Sequence, residues 1–173
     1  SLGARIVTCP RRVDDAPGDP CVHRFREAVA NGSVPFSVQG TENVWCLDGG
    51  RTIGWEMADT EVDRLLVQVG GGALAACAAG AAPLWCVQTS SSAPLVRAWE
   101  RATPAWRAAP ATHWAELMWP WEGVRPSAAA GILDDETYDW IPVVEAMQRT
   151  GGGAFSVSED DVRRARIIRA EIG

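Results

Sequence analysis

The clearest pattern in the chain runs from residue 65 to 89, LLVQVGGGALAACAAGAAPLWCVQT. Leu65 to Val69 is a short apolar, β-prone run, broken by Gly70-Gly71-Gly72. An alanine-rich segment follows as far as Pro83, and Leu84 to Thr89 is a second β-prone run. Strand, glycine turn, helix, strand is the layout of a right-handed βαβ unit. Upstream, Arg5 to Cys9 reads as a strand entered from the end of a helix at Leu2-Gly3-Ala4. Asp19-Pro20 reads as a helix start, with Asp at the N-cap and Pro at the first helical position. Val22, Phe25 and Val29 repeat along that helix, and Asn31-Gly32 stops it. Val34 to Val38 reads as a short extended piece. DGGRTIGWEMAD, residues 48 to 59, predicts a helix starting after Gly49-Gly50, with Ile53, Met57 and Ala58 on its inner face. Trp140 to Arg149 predicts another helix, stopped by Gly151-Gly152-Gly153. In the last helix Ser158 and Asp161 approximate a capping box, and Val162, Ala165, Ile168 and Ile172 trace one face. The expected fold is α/β, three layers, with a mostly parallel sheet flanked by helices.

The glycine run carries the main chemical expectation. Glycines between a strand and a helix form either a plain tight turn or a seat where a ligand meets the backbone closely. The N–H groups of Gly70, Gly71, Gly72 and Ala73, at the start of a helix, would make an anion site suited to phosphate. No Lys follows the glycines, so the loop is not a P-loop. Ala75 stands where a dinucleotide fingerprint needs its third glycine, and Thr89 to Ala93 offers no acid for a ribose. The reading is a phosphate cup for something other than ATP or NAD.

Composition narrows the partners. A chain of 173 residues is long enough for a domain with a real core, and its net charge of −6 argues against nucleic acid or an anionic membrane as main partner. No apolar run approaches the length of a membrane span, and Ser1-Leu2-Gly3 does not read as a signal peptide. Cys9, Cys21, Cys46, Cys77 and Cys86 are odd in number and widely spaced, which disfavours a zinc site or disulfide framework and fits a reducing cytoplasm. All 16 basic residues are arginine. Chemistry that requires an ε-amine therefore has no group here to perform it.

Two stretches in this order, DGGRTIGWEMAD and VQVGGGALAACAAG, carry a family resemblance. The first resembles the E-G-x-x-T-I-x-x-E-I helix of the fold-type II pyridoxal-phosphate enzymes, and the second is similar to their glycine-rich phosphate loop. That family includes threonine synthase, the threonine and serine dehydratases, cysteine synthase and the tryptophan synthase β chain. LGARIVTC resembles the strand closing the family's small domain, and SAAAGILDDETYDW resembles a segment of its threonine-synthase-like branch. FSVSEDDVRRARIIRAEIG is similar to its late strand and helix. The resemblance implies that residues 1–33 end a small domain and cross back, while 34–173 belong to a truncated large cofactor-binding domain. It implies pyridoxal 5'-phosphate as cofactor in the intact enzyme, with its phosphate at Gly70, Gly71, Gly72 and Ala73, an amino-acid substrate, and a homodimer. The reaction implied is β-elimination or β/γ-replacement.

The departures matter equally. The family's S-x-K-x-R segment, with the lysine that holds the cofactor, and its G-N-H/G loop are both missing. The fourth glycine of the phosphate loop is Ala73, which requires a negative φ there. The chain is thus expected to be a piece of such an enzyme, with no catalytic residue of its own and no metal site. A non-catalytic phosphate-binding or regulatory module of the same fold, and an unrelated binder of phosphate sugars or nucleotides, stand as alternatives. Trp99, Trp106, Trp114, Trp119 and Trp121 are expected to pack a long connection or cover an interface, rather than stack bases or sugars. His23 reads as a surface or partly packed residue, His113 as lacking metal partners, and Glu56 as a solvated charge. Asp134, Asp135 and Glu136 read as a solvated turn capping the following helix. Gly71→Val is expected to obstruct an anion, and Gly152→Val to leave it unaffected.

Overall fold

The computed structural model describes residues 3–80 and 82–172, with side chains to residue 170. By its internal contacts the chain divides after Phe36 into two compact units.

In the first unit, helix α1 (Pro20–Ala30) starts as its sequence dictates. The Asp19 carboxylate accepts from the N–H of Cys21 at 2.7 Å and of Val22 at 3.4 Å. Asn31 closes the helix and Gly32 follows with φ +92°. Val22, Phe25 and Val29 are only half-buried. His23 Nε2 lies 2.8 Å from the carbonyl of Pro17 at the surface. Arg5 to Cys9 is not a strand, because no described strand runs beside it to complete a ladder, and Ile6 is 86% exposed. Leu2 lies outside the described residues.

The second unit opens irregularly: Val34 to Val38 forms no strand on either side of the division. Helices α2 (Val44–Gly50) and α3 (Thr52–Glu56) follow. Gly49-Gly50 therefore end a helix that the sequence reading did not expect, and the expected helix, α3, begins two residues later at Thr52. The chain stays helical through Arg51, whose N–H reaches Leu47 O at 3.1 Å. The inward positions of α3 are Gly54 and Met57, whereas Ile53 and Ala58 are exposed. The reason is backbone proximity. A Cβ on Gly50 would lie 2.1 Å from Cys77 Sγ, and one on Gly54 would lie 3.6 Å from the Cys77 carbonyl oxygen. Glu56 is exposed.

Strand β1 (Leu65–Gln68), helix α4 (Ala73–Ala78) and strand β2 (Leu84–Thr89) form the expected βαβ unit, with β1 and β2 parallel and Leu65 opposite Leu84. The alanine segment leaves the helix at Ala79, four residues before Pro83. Next come α5 (Pro94–Arg101), α6 (Pro104–Ala108), a 3₁₀ turn at Pro110–His113, α7 (Trp114–Leu117), a second 3₁₀ turn at Ala130–Ile132, and α8 (Trp140–Thr150). Strand β3 (Gly153–Val157) pairs in parallel with β2, and α9 (Glu159–Ile172) ends the described chain. The order β1-β2-β3 makes a three-stranded parallel sheet flanked by helices in a mixed α/β unit.

Its core joins Val67 and Val69 of β1, Leu84 and Cys86 of β2, Leu95 and Ala98 of α5, and Trp140, Val143, Val144 and Met147 of α8. The tryptophan-rich connection packs onto this core, as anticipated. Trp99, Trp106 and Trp114 lie against it, and the Trp114 ring meets Trp140 edge-on at 5.5 Å. Arg97 sits 3.7 Å over Trp119, and Arg107 sits 3.8 Å over Trp99, so the guanidiniums cover ring faces. His113 stacks on Trp106 at 4.6 Å. In α9 the capping box forms: Ser158 Oγ donates to Asp161 Oδ2 at 2.6 Å and accepts from Asp161 N–H at 3.2 Å. Its apolar stripe is not covered, since Ala165 and Ile168 are exposed. No helix among the described residues is long and apolar enough to cross a membrane.

One core group makes stability pH-dependent. Burial pushes the Cys86 thiol from 9.0 up to about 12. The folded state holds this proton more tightly, so the stabilisation is complete below 9.0 and is lost as pH rises through about 12. Tyr138 is raised as well, by burial and then by Asp135 and Asp134. Wild type is expected to lose up to about 1.4 kcal/mol per pH unit to Cys86 alone in this window. Cys86→Val should unfold with a shallower alkaline slope in urea titrations at stepped pH; an unchanged slope would refute the assignment.

Candidate functional site

The glycine loop leaves β1 at its C-terminal end and enters α4. Gly72 is the N-cap of α4 and adopts φ +100°, the left-handed conformation that disfavours any side chain. Gly71 does not share that conformation, since the positive-φ glycines include Gly72 and not its neighbours. Ala73 is the first residue of α4, and no described residue other than glycine has positive φ, so alanine fits there without strain. No side chain caps α4.

All three glycines are buried, and what covers each one differs. A Cβ on Gly70 would fall 2.4 Å from Asp134 Oδ2 and 3.1 Å from the Cα of Ile132. On Gly72 it would meet Thr137 Cγ2 at 3.1 Å and Asp139 Cβ at 3.3 Å. On Gly71 the nearest atoms would be those of the Gln39 amide, with Nε2 at 2.6 Å. Gly71 is thus the place where the backbone lies beneath the movable tip of one flexible side chain.

Behind the loop is a buried polar network that the sequence reading missed. Gln88, fully buried near the end of β2, donates from Nε2 to Val69 O at 3.2 Å and to Thr137 Oγ1 at 3.3 Å. Its Oε1 accepts from the N–H groups of Leu95 at 2.8 Å and Val96 at 3.1 Å, so it also caps the first turn of α5. Thr137 Oγ1 donates to Gly70 O at 3.1 Å, and Asp139 N–H donates to Gly71 O at 2.8 Å. The loop's carbonyls are therefore held from behind. A single glutamine closing an otherwise apolar run, LWCVQ, was the available signal.

The acidic residues of this region are not a solvated turn. Asp134 and Asp135 are half-buried, Glu136 is 8% exposed and Asp139 is fully buried. Asp139 occupies the N-cap position of α8 without capping it. Its Oδ1 accepts instead from the Thr41 N–H at 2.8 Å and from Thr41 Oγ1 at 3.0 Å, tying the 37–41 segment over the loop. Asp139 Oδ2 and Gln39 Oε1 are both buried without a partner. The lining is consequently mixed, with backbone N–H groups and the Gln39 amide on one side and carboxylates of Asp134 and Asp139 on the other.

A phosphate would reach the N–H groups of Gly71, Gly72 and Ala73 only with Gln39 swung aside, and the nearby carboxylates of Asp134 and Asp139 would repel it. The aldehyde of a pyridoxal group finds no side-chain ε-amine in a chain without lysine. Among the described residues no cluster of His, Cys, Asp and Glu could hold a metal ion. No protein family and no curated protein matches this sequence.

Proposed function

We propose that this chain is part of a pyridoxal-phosphate-dependent enzyme of fold-type II, acting on an amino acid by β-elimination or β/γ-replacement in the manner of the threonine synthase and dehydratase group. On this reading the helices flank the sheet as two outer layers. The rest of the enzyme brings the lysine, and the assembled protein is a cytoplasmic homodimer. The observation that carries the proposal is the loop itself. A parallel β-glycine-α-β unit places a left-handed Gly72 and an uncapped α4 at the C-terminal end of β1. Gly70, Gly71, Gly72 and Ala73 would hold the phosphate through backbone N–H groups, with Gln39 as a cover that moves.

When bound, the cofactor withdraws electrons from the substrate's α-carbon. This chain's own contribution is to hold the phosphate and to fix the loop through Gln88, Thr137 and Asp139. The absence of lysine equally favours a second reading, a non-catalytic module of the same fold that binds a phosphate ligand.

Calorimetric titration of inorganic phosphate and of pyridoxal phosphate tests the seat. Gly71→Val is the informative variant, because the atoms nearest its Cβ belong to the Gln39 amide and φ there is not positive. It is expected to weaken both ligands by about tenfold or more. Gly131→Ala, with nothing within 4 Å of the added methyl, should bind as wild type does. Equal loss in both variants, or no loss in Gly71→Val, would rule out this loop. Borohydride reduction should fix no cofactor to any side chain.

A further inference from the structure

At the opposite end of β1 from the glycine loop lies a cavity of about 610 Å³. It is bounded by the start of β1, by α3, by the C-terminal end of α4 and by α8 from Pro142 to Arg149. Ligand sites for small molecules span roughly 300–1,000 Å³ and combine apolar walls with a few convergent polar groups. Both features are present here. Trp55, Met57, Val62 and Leu65 supply apolar wall, which accounts for a tryptophan 68% exposed and packed in no core.

The charges at its edge are Arg51, Arg64, Arg149 and Glu145. Arg51 is already paired with Asp48 at 2.8 Å. Arg149 donates from Nη1 to Gly80 O at 3.1 Å, which holds its guanidinium against the cavity lining while leaving its charge uncancelled. Among the described residues neither Arg64 nor Arg149 forms an ion pair. Among the lining residues two guanidiniums without an ion pair therefore stand against the Glu145 carboxylate, while Glu61 and Asp63 flank Arg64 in an adjoining hollow. Guanidinium groups present paired donors that match a carboxylate.

We infer that this cavity is a binding site for a short apolar carboxylate. Its hydrocarbon part lies against Trp55, Met57 and Leu65, and its carboxylate meets Arg64 and Arg149. A strand of four residues, at about 3.3 Å per residue, separates it from the glycine loop. The inference therefore stands apart from the phosphate reading.

Hexanoate, hexanol and hexylamine serve as probes of equal length, titrated by ligand-observed NMR with the whole chain. Hexanoate should bind at least about tenfold tighter than hexanol, and hexylamine should bind most weakly. Arg64→Gln, at an exposed position, should remove most of the hexanoate advantage and leave hexanol unchanged. Ala58→Trp, also exposed, should fill the mouth and abolish binding of both. Gly71→Val should leave hexanoate untouched, so a failure here is separable from a failure at the loop. Equal affinity for all three probes, no binding by about 10 mM, or insensitivity to either cavity variant would overturn the proposal. So would sedimentation showing that a second copy of the chain occupies this face and that Ala58→Trp releases it.

Discussion

Gln88→Ala is expected to lower the unfolding free energy by about 3–5 kcal/mol, a large share of the ~5–15 kcal/mol typical of a folded domain. The side chain is fully buried and makes four hydrogen bonds, and alanine makes none of them. Removing it strands the N–H groups of Leu95 and Val96 and the carbonyl of Val69. Each such buried orphan costs about 1–3 kcal/mol, with incomplete additivity. Gln68, on the exposed face of β1, provides the comparison: Gln68→Ala should stay within about 0.5 kcal/mol of wild type. Urea unfolding followed by far-UV circular dichroism decides the matter. A Gln88→Ala cost below about 1 kcal/mol would mean that β1, β2 and α5 are not joined through this amide.

Gly152→Val should be comparably damaging, although the second glycine triplet looks from sequence like a dispensable helix stop. It does stop α8: Gly151 takes φ +74°, and Gly152 N–H reaches back to Met147 O at 2.8 Å. A Cβ on Gly152, however, would stand 1.8 Å from Leu84 O, 2.5 Å from its carbonyl carbon and 2.8 Å from its nitrogen. These are backbone atoms at the start of β2, and no rotamer change moves them. The chain would have to lift away just before Gly153, which pairs with Trp85. The expected loss is about 3 kcal/mol or more, at the upper end of overpacking costs. Alanine should cost nearly as much, since the collision is with Cβ itself. By contrast Gly49→Ala, on the exposed side of α2 with nothing near the new methyl, should stabilise by about 0.5–1 kcal/mol. Thermal melts of the three variants check the order. A near-neutral Gly152→Ala would refute the close approach of α8's exit to β2. It follows that Gly152→Val is no control for ligand binding, and Gly131→Ala replaces it.

These two sites mark the limit of what local pattern conveys. β1, the glycine turn, β2, α1 with its Asp19 cap and the capping box of α9 all follow from short-range rules. Residues a few positions apart decide them: an apolar run, a cap, a breaker. The same rules place a helix after Gly49-Gly50 but miss α2, which those two glycines end. Gly50 is there so that α2 can approach Cys77 of α4. They also misread Asp134 to Glu136 as solvated, because acidic residues in succession carry no signal of the loop that lies against them.

The sequence by itself determined the βαβ core, the position of the glycines, the absence of any lysine and hence the chemistry this chain cannot perform. Each of those depends on residue type or on neighbours along the chain. Only the tertiary structure decided which glycine bears the left-handed conformation and which lies under a movable side chain. It alone showed that Gln88, Thr137 and Asp139 brace the loop, and that a cavity opens between α3, α4 and α8. Thr41 and Asp139 are 98 positions apart, and Gly70 and Thr137 are 67. Contacts of that separation form only when burial brings distant polar groups together and obliges them to satisfy one another.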